Sequence, residues 1–338
     1  MSENYPIDFV VTWVDGNDPV WQAEKAKYSP NKNADNRNVR FRDWDNMQYW
    51  FRAVEKFAPW VNKIHFVTYG HLPKWLNINN PKLNIAKHSD FIPQKYLPTF
   101  SSFPIEVNLH RIKGLAERFV YFNDDMFLLK PVKRELFFAG KDCLPTDFAI
   151  TSTISTTTKE DMIPFVKLNN VTILNSHFDK KEQMKKHFSK WVNLAYGWNA
   201  LRNLIFYGQH RFKGFANNHL AFSFLKSEYE DIWKKEYESL DDTSLHRFRS
   251  KLDVNDWLIR YWQLTRGNFY PIGRHVKGKV YEIYNGVEQN QELFKIIENQ
   301  AMPMICINDN DNMDFEAMKE RIKQAFDKIL PEKSSFEK

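Results

Sequence analysis

Apolar runs and helical stripes alternate along most of the chain. Four runs rich in β-branched and aromatic residues predict strands, and these are Ile7 to Trp13, Lys63 to Tyr69, Leu83 to Lys87 and Phe119 to Phe122. An apolar stripe at helical spacing predicts a helix between the first two strands, and its members are Trp44, Met47, Phe51 and Val54. Strand, helix and strand at this spacing indicate parallel βαβ units, so we predict an α/β fold with a mostly parallel sheet.

The second half of the chain predicts mainly helices. Asp179 matches the N-cap position of a helix, and Val254 to Leu264 carries a further apolar stripe. Trp191 to Phe224 is aromatic and basic, which favours helices around a polar loop. Val171 to Leu174 predicts a short strand before them, and Ile305 to Ile307 predicts a return to the sheet near the end.

Two adjacent acids interrupt an apolar run directly after the fourth predicted strand. Asn123, Asp124 and Asp125 stand before an apolar run that resumes from Met126 to Leu129. Carboxylates inside such a run are costly to bury unless their charge is compensated, and a divalent cation with oxygen ligands is the usual compensation. The stretch therefore predicts a metal-binding turn between two strands, although Asn-Asp-Asp is also ordinary chemistry for a solvated turn.

The end of the first strand offers a second candidate site. Ligands gather at the carboxyl ends of strands in open α/β sheets, so the loop from Val14 to Pro19 is a candidate nucleotide site. An ordinary turn between a strand and a helix is the alternative. Asp8 lies within the strand itself, where a carboxylate needs a partner, and it is as consistent with a structural acid as with a functional one.

Three further side chains are candidates for phosphate chemistry. His177 lies two residues before the predicted cap Asp179, where the free N–H groups of a helix suit an anion, so it is a candidate general base. Arg42 and Arg249 are candidate phosphate ligands, since a guanidinium matches phosphoryl oxygens bidentately. For each of the three, simple packing or a surface ion pair is the alternative.

The composition indicates a folded protein that suits anionic partners. The 338 residues are 43% hydrophobic and 16% aromatic, enough for a large core. The net charge of +6 suits nucleotides, phosphates or an anionic membrane face. The basic excess has no dense block except Lys185-Lys186 and Lys234-Lys235, so we attribute most of it to solvated surface spread along the chain. The sequence has no RNP, zinc-finger or helix-turn-helix signature, so nucleic acid is not an expected partner.

Cysteine usage and targeting signals bear on location. The two cysteines, Cys143 and Cys306, lie far apart, which argues against a disulfide framework and fits a reducing compartment. The N-terminus lacks the basic and apolar regions of a signal peptide, and no run of about 18 apolar residues is present. We therefore expect a cytoplasmic protein, with peripheral contact at the cytoplasmic membrane face as a further expectation.

With these motifs in view, the sequence resembles the Stealth family of sugar-phosphate transferases. The resemblance rests on four blocks that together span nearly the whole chain, and the second block is long and highly specific. The blocks are I-D-F-V-V-T-W-V-D-G-N-D-P from Ile7, the segment from Arg40 to Val132 with F-R-D, H-S-D and Y-F-N-D-D-M-F, the part from Asn175-Ser176-His177 through S-L-H-R-F-R, and I-C-I-N-D-N with the terminal L-P-E-K-S-S-F-E-K.

The resemblance implies an activity. A hexose-1-phosphate or N-acetylhexosamine-1-phosphate would pass from a UDP-sugar such as UDP-GlcNAc to a sugar hydroxyl, forming a phosphodiester in a capsular or cell-surface polysaccharide and releasing UMP. It also implies Mg²⁺ or Mn²⁺ as cofactor and a polysaccharide or lipid-linked glycan as acceptor. Peripheral contact with the inner membrane or the capsule assembly machinery is a further expectation.

Carried over by position, the resemblance also implies a set of site residues. The catalytic residues would be Asp8, Asp124, Asp125, His177 and Arg249, with the metal on Asp124 and Asp125. The nucleotide-sugar would be held by Thr12, Trp13, Val14, Asp15, Arg42 and Asn46. His177 is followed by Phe178, where relatives often have Met-Pro, and the third block is generally the most divergent, so the match is weakest at His177 and Arg249.

The resemblance refines the predicted fold as well. We expect a GT-A-like, mostly parallel nucleotide-binding sheet with an interleaved helical lid or acceptor subdomain, in one catalytic domain over residues 1–338. Residues 1–175 with 300–330 would form the α/β nucleotide-sugar core, and residues 176–299 would form the mainly helical part.

Two other functions stay open at this point. A metal-dependent glycosyltransferase would use a similar acidic turn, but it would attack the anomeric carbon and release UDP instead of UMP. A non-catalytic glycan-binding module would use the aromatic residues and the basic surface, and it would bind sugar polymers without nucleotide or metal.

Overall fold

The computed structural model describes residues 5–29, 42–156, 158, 161–310 and 312–338. The strands of this part of the chain are β1 (Ile7–Thr12), β2 (Ile64–Thr68), β3 (Leu83–Lys87), β4 (Arg118–Phe122), β5 (Met126–Leu128), β6 (Phe138–Ala139), β7 (Leu144–Asp147), β8 (Phe222–Leu225), β9 (Tyr270–Pro271), β10 (Gly278–Glu282) and β11 (Met304–Asn308). The helices are α1 (Pro19–Tyr28), α2 (Met47–Phe57), α3 (His88–Phe91), α4 (Ser102–Asn108), α5 (Ile163–His177), α6 (Lys180–Lys186), α7 (Phe188–Trp191), α8 (Asn199–Ile205), α9 (Lys226–Lys235), α10 (Tyr237–Leu245), α11 (Asp256–Thr265), α12 (Gln291–Glu298) and α13 (Phe315–Ile329).

The central sheet has the strand order β3-β2-β1-β4-β8. Its first four strands are parallel, and β8 runs antiparallel to β4 at the end of the order. A second sheet has the order β10-β11-β5, and a third, shorter one has the order β6-β7-β9. The predicted α/β fold with a mostly parallel sheet is confirmed.

Apolar residues on both faces of β1 explain why it lies inside the sheet. Phe9 and Val11 face one hydrophobic core and Val10 faces another, as the two-residue period of a strand requires. Helices α2 and α13 contribute to the first core, and α9 and α11 contribute to the second. Burial on both faces is the usual condition of parallel strands, and it leaves the strand ends for polar chemistry.

Two predictions about local structure are wrong. Val171 to Leu174 lies in helix α5, where Val171 and Leu174 are buried in the second core, so tertiary packing overrides the strand preference of the segment. Phe222 to Phe224, the end of the segment that we predicted as helices around a polar loop, belongs to β8, which pairs with β4. The strands predicted at β1 to β4 and the helix capped by Asp179 are confirmed.

A buried carboxylate joins the strands of the central sheet at the edge where β1 and β4 begin. Asp8 is fully buried and accepts hydrogen bonds from the Asn62 side chain (2.7 Å), the Ala116 N–H (2.8 Å) and His65 Nε2 (2.9 Å). Asn84 Nδ2 lies 2.8 Å from His65 Nδ1, which leaves the Nε2 proton for Asp8. Burial raises the pKa of Asp8, but these hydrogen bonds outweigh it and hold the pKa below its ordinary value.

No helix in the described part of the chain combines the length and the apolar composition that crossing a bilayer requires.

Cys143 and Cys306 are both free, as their separation in the sequence predicts.

Replacing Asp8 with Asn should destabilise the protein. The amide cannot accept all of the bonds that the carboxylate accepts, so we expect the free energy of unfolding at pH 7 to fall by about 2–4 kcal/mol. Because the folded pKa of Asp8 lies below the unfolded value near 3.8, the stabilisation is present above that value and is lost as the pH falls through the folded pKa. Urea unfolding of both proteins between pH 3 and pH 7 measures it, and a constant difference over that range would contradict the assignment.

Candidate active site

The parallel pairing of β1 with β4 brings the two predicted polar loops to one edge of the central sheet. Val11 pairs with Phe122, so the loop after Thr12 and the turn after Phe122 leave the sheet side by side. We call this edge, where β1 and β4 end, the carboxyl edge. It is the place where open α/β sheets bind ligands.

Asp125 joins three distant segments of the chain at the carboxyl edge. Its carbonyl oxygen accepts a hydrogen bond of 2.9 Å from Ile307 N–H, which continues the β5–β11 pairing. Its Oδ2 lies 3.2 Å from His219 Nε2 and 3.2 Å from Cys306 Sγ. The other carboxylate oxygen, Oδ1, is buried and has no hydrogen-bond partner among the described residues. Asp125 is therefore both a structural junction and a carboxylate with an unused ligand atom.

Asp124 presents a carboxylate to solvent at the same turn. The residue is exposed, but protein crowds around it on the remaining sides. This desolvation, with the charges of Asp125 and Asp43, raises the pKa of Asp124 to about 7. Burial and the neighbouring acids Asp45 and Asp15 also raise the pKa of Asp43. The turn thus lies in a field with an excess of negative charge.

His219 is a site residue that the sequence analysis missed. It lies three residues before β8, and because β8 runs antiparallel to β4, the start of β8 lies near the carboxyl edge. Burial lowers the pKa of His219, but the charge and hydrogen bond of Asp125 outweigh it and raise the pKa above its ordinary value. The side chain keeps 41% of its surface exposed, so the ring is open to a substrate. The local signal for it was slight: Asn217-Asn218-His219 directly before an apolar run.

The sequence analysis also missed a buried pair of acids near the start of the loop after β1. The Asp256 N–H is 3.5 Å from Glu106 Oε2, and both residues are buried. Burial and the charge of Glu106 raise the pKa of Asp256 well above its usual range, which favours the protonated form of that carboxyl. Burial raises the pKa of Tyr121 well above its usual range, and the two acids add to this shift; its hydroxyl lies 3.2 Å from Thr12 Oγ1.

Arg42 is fixed beside the acidic turn by an ion pair. Its Nε and Nη2 donate to the two oxygens of Asp309 at 3.1 and 2.8 Å, and Trp44 Nε1 donates to Asp309 at 3.2 Å. Asp309 directly follows β11, the strand that bonds to Asp125. Arg40 and Phe41, which open the second sequence block, lie outside the described residues. Asn46 is buried at the N-cap position of α2, without a side-chain capping bond.

The loop after β1 is held partly in the core. Trp13 is 7% exposed and stacks on Phe66 at 5.6 Å, so its ring belongs to the core and only its neighbours are accessible. Val14 is half-buried, and the Asp15 N–H donates to His71 Nε2 at 2.8 Å. Thr12 and Asp15 therefore offer polar groups at the carboxyl edge, whereas Trp13 anchors the loop by packing its ring in the core.

Arg249 reaches the same side of the molecule through an aromatic cluster. Its Nη2 donates to Ser102 Oγ at 3.2 Å, and its guanidinium lies 4.7 Å from the centre of the Phe103 ring. The adjacent Phe248 stacks on Phe100 at 5.3 Å, and Phe100 contacts Trp21 of α1, the helix that follows the loop after β1. The structure thus brings Arg249 towards the carboxyl edge.

His177 does not lie with the acidic turn. It is the last residue of α5, it pairs with Glu236, and its ring lies 5.0 Å from that of Trp262. The next residue, Gln263, bonds to Leu225 N–H, and Leu225 pairs with the first residue of β4. His177 therefore contacts α11 near the edge where β4 begins, which does not support the predicted role as a base at the aspartates.

Asp8 also lies away from the acidic turn. It pairs with Phe119 in β4, and Asp124 follows Phe119 by five positions, so the two acids are separated by about 16 Å along the strand direction. With its oxygens occupied by Asn62, His65 and Ala116, Asp8 has the contacts of a structural acid. Its predicted catalytic role is not supported by this geometry.

The residues present fit a hard divalent cation. The free Oδ1 of Asp125 and the exposed carboxylate of Asp124 are oxygen donors of the kind that Mg²⁺ and Mn²⁺ take. Ligand atoms of Asp125, His219 and Cys306 also lie within 4.8 Å of one another, a donor set that a softer ion such as Zn²⁺ accepts. Burial and Asp125 raise the pKa of the Cys306 thiol well above its usual range, which keeps the thiol protonated and favours the oxygen donors.

Two family models match the parts of the chain that contain the acidic turn and the loop after β1. The model of Stealth protein CR1, conserved region 1, matches residues 5–33, and the model of Stealth protein CR2, conserved region 2, matches residues 40–144. The second match contains the acidic turn, and the first contains β1 with the loop that follows it.

Curated relatives match over the whole chain. A capsular polysaccharide phosphotransferase, WcwK of Streptococcus pneumoniae, is 43% identical over 100% of both chains. A receptor polysaccharide phosphotransferase, WefC of Streptococcus gordonii, is 42% identical over 98% of both. An exopolysaccharide phosphotransferase, cps2G of Lactiplantibacillus plantarum, is 39% identical over 100% of this chain and 98% of its own.

Among solved structures, the galactosyltransferase LgtC overlaps 95% of this chain and 96% of its own, with 9% identity and a TM-score of 0.37. A TM-score this low supports no conclusion about the present chain. Full-length identity above 40% to polysaccharide phosphotransferases does support one, and it makes this protein a transferase. The chain belongs to the Stealth family of phosphotransferases.

Proposed function

We propose that the protein transfers a hexose-1-phosphate or N-acetylhexosamine-1-phosphate from a UDP-sugar to a sugar hydroxyl of a capsular or exopolysaccharide acceptor, and releases UMP. The names of the relatives supply the polymer and the phosphoryl chemistry. One observation in the structure carries the proposal furthest. Asp125 holds an exposed imidazole, that of His219, at the carboxyl edge, next to a loop suited to a nucleotide.

The proton-transfer role is assigned to His219. The acceptor hydroxyl attacks the β-phosphorus, a P–O bond forms, and the bond from that phosphorus to the oxygen bridging to the α-phosphate breaks. The hydroxyl proton passes to a ring nitrogen of His219, and UMP leaves with the bridging oxygen. The Asp125 carboxylate orients the imidazole and stabilises its protonated form, as a carboxylate does for a histidine base in other sites.

The remaining charged groups of the site would stabilise the negative charge of the phosphoryl group during transfer. A divalent cation held by Asp124 and Asp125 would neutralise the diphosphate oxygens of the donor. Arg249 supplies a fixed guanidinium from the Ser102 side, and it matches equatorial phosphoryl oxygens bidentately. Such preorganised charges are the main source of catalysis in phosphoryl transfer, because little covalent chemistry is left to the protein.

The nucleotide is assigned to the loop after β1. Thr12 and Asp15 present polar groups there, and Arg42 is held next to the acidic turn by Asp309. The ion pair with Asp309 keeps the Arg42 guanidinium close to the proposed position of the donor diphosphate. Because Asp309 occupies the guanidinium, it does not neutralise the carboxylates of the acidic turn. Trp13 and Asn46, both buried, then support this loop and the start of α2 from within.

The released nucleotide distinguishes phosphoryl transfer from glycosyl transfer. Purified protein with a panel of UDP-sugars, acceptor glycans and Mg²⁺ should release UMP in an acceptor-dependent way, as measured by ion-exchange chromatography. EDTA should abolish release, and Mg²⁺ or Mn²⁺ added back should restore it. Release of UDP would move the attack to the anomeric carbon and make the protein a glycosyltransferase.

A matched pair of histidine variants tests which imidazole is the base. We expect His219→Gln to lower kcat by about 100-fold or more, because an amide cannot take the proton, and His177→Gln to stay within a few-fold of wild type. Initial rates of UMP release at saturating donor give both values. The opposite ranking, with similar melting temperatures for the two variants, would return the role to His177.

Metal binding without turnover tests the two aspartates separately. Mn²⁺ affinity, measured by electron paramagnetic resonance, should fall by about tenfold or more in Asp124→Asn and in Asp125→Asn, since each removes a charged oxygen ligand. Asp242→Asn, at an exposed acid on α10, is the control and should bind Mn²⁺ as wild type does. Unchanged Mn²⁺ affinity in both site variants would reject the acidic turn as the metal site.

A further inference from the structure

A cluster of large apolar side chains faces solvent on one stretch of the chain. We call it the apolar patch. Its six members and their exposed fractions are Phe188 (46%), Leu194 (98%), Trp198 (87%), Leu201 (48%), Leu204 (42%) and Ile205 (77%). Single exposed apolar residues are ordinary, but six within 18 positions are not, and such patches mark interaction surfaces.

Helix α8, with the residue before it, presents its apolar side outward. Trp198, Leu201 and Ile205 follow the i, i+3, i+7 spacing of one helical face, and all three are exposed. The opposite side carries the fully buried Asn203, whose side chain donates to the carbonyl oxygens of Ala149 and Trp191 at 2.5 and 2.6 Å. Buried hydrogen bonds therefore hold the helix with its polar side in and its apolar side out.

The net positive charge of the protein is concentrated in the segment of the chain that carries this patch. Residues 180–214 contain eight Lys and Arg and one Glu, a net charge of +7. The whole chain carries +6, so all other residues together carry −1. Six of the basic side chains are exposed, namely Lys181, Lys185, Lys186, Arg202, Arg211 and Lys213. The basic excess is therefore solvated, as expected, but the expectation that it is spread along the chain is wrong.

The apolar patch is connected to the candidate active site by a short segment before β10. Gly273 approaches the backbone next to Leu194 so closely that a β-carbon on it would lie 3.0 Å from the Ala195 carbonyl oxygen. The next residue, Arg274, donates from Nε to Asn218 Oδ1 at 3.0 Å, and Asn218 precedes His219. A short series of contacts thus links the loop that carries Leu194 to the residue before His219.

We propose that the apolar patch is a docking surface for a bilayer rich in anionic lipid. Trp198, Leu201 and Ile205 would enter the boundary between headgroups and acyl chains, and the surrounding cations would contact lipid phosphates. The charge selects this occupant. A second copy of the chain would set +7 against +7, whereas an anionic headgroup layer complements it. Binding of the patch to a bilayer does not depend on the reaction that the protein catalyses.

Vesicle flotation tests the surface. The intact protein should float with phosphatidylcholine–phosphatidylglycerol vesicles and much less with phosphatidylcholine alone. Trp198→Ser with Ile205→Ser should lower the partition coefficient by about tenfold or more. Lys185→Glu with Lys186→Glu and Arg202→Glu should remove the preference for phosphatidylglycerol.

Matched controls use exposed residues outside the patch. Ile78→Ser with Leu252→Ser replaces side chains that are 53% and 70% exposed, and Lys113→Glu with Lys234→Glu replaces exposed lysines. Both control proteins should float as wild type does. All the substituted side chains are exposed, so thermal melts should coincide and should show that folding is intact.

Three outcomes would overturn the proposal. The first is a wild-type protein that does not prefer phosphatidylglycerol vesicles over phosphatidylcholine, and the second is a patch variant that floats as well as the controls. The third is a dimer in analytical ultracentrifugation that the Trp198 and Ile205 substitutions convert to a monomer. That result would assign the patch to a second copy of the chain.

Discussion

The site depends on the contacts of one carboxylate, Asp125. Its main-chain oxygen accepts from β11, its side chain holds His219 before β8, and its own position follows β4. Strand β8 reaches this edge by pairing with β4, whereas β11 belongs to the second sheet, and Asp125 contacts the segments of both. Oδ2 of this carboxylate holds His219, while Oδ1 has no partner among the described residues and suits a cation, so structure and chemistry draw on one side chain.

The framework was accessible from the sequence because it is encoded locally. Continuous apolar runs at β1 and β4 predict strands buried on both faces, and parallel pairing then places Asp15 and Asp124 at one edge without further information. The acidic turn was found for a similar reason, since two charges inside an apolar run are recognisable in any context. The family resemblance favoured Arg249 as a phosphate ligand, whereas the local pattern alone leaves open whether it binds phosphate or is structural.

The remaining site residues could not be found in this way because their partners are distant. The sequence around His219 carries only a weak signal. Its place in the site becomes visible through its contact with Asp125, 94 positions earlier. His177 looked like an anion ligand because it precedes a capped helix, but it also ends α5, whose packing against α11 brings it to Glu236 and Trp262. Patterns of polarity likewise predict that apolar stripes face inward, and only the hydrogen bonds of Asn203 reverse this for α8.

The place of β11 in the chain has a consequence for how the protein is made. Cys306 contacts Asp125 across 181 positions, and the Ile307 N–H closes the same junction. Contacts of such separation are expensive in loop entropy, so they form late in folding. During synthesis the acidic turn emerges well before β11, and until that strand arrives the two aspartates lack their neighbour in the second sheet. A nascent chain therefore carries the pair of acids without their contacts to β11 until that strand has been synthesised.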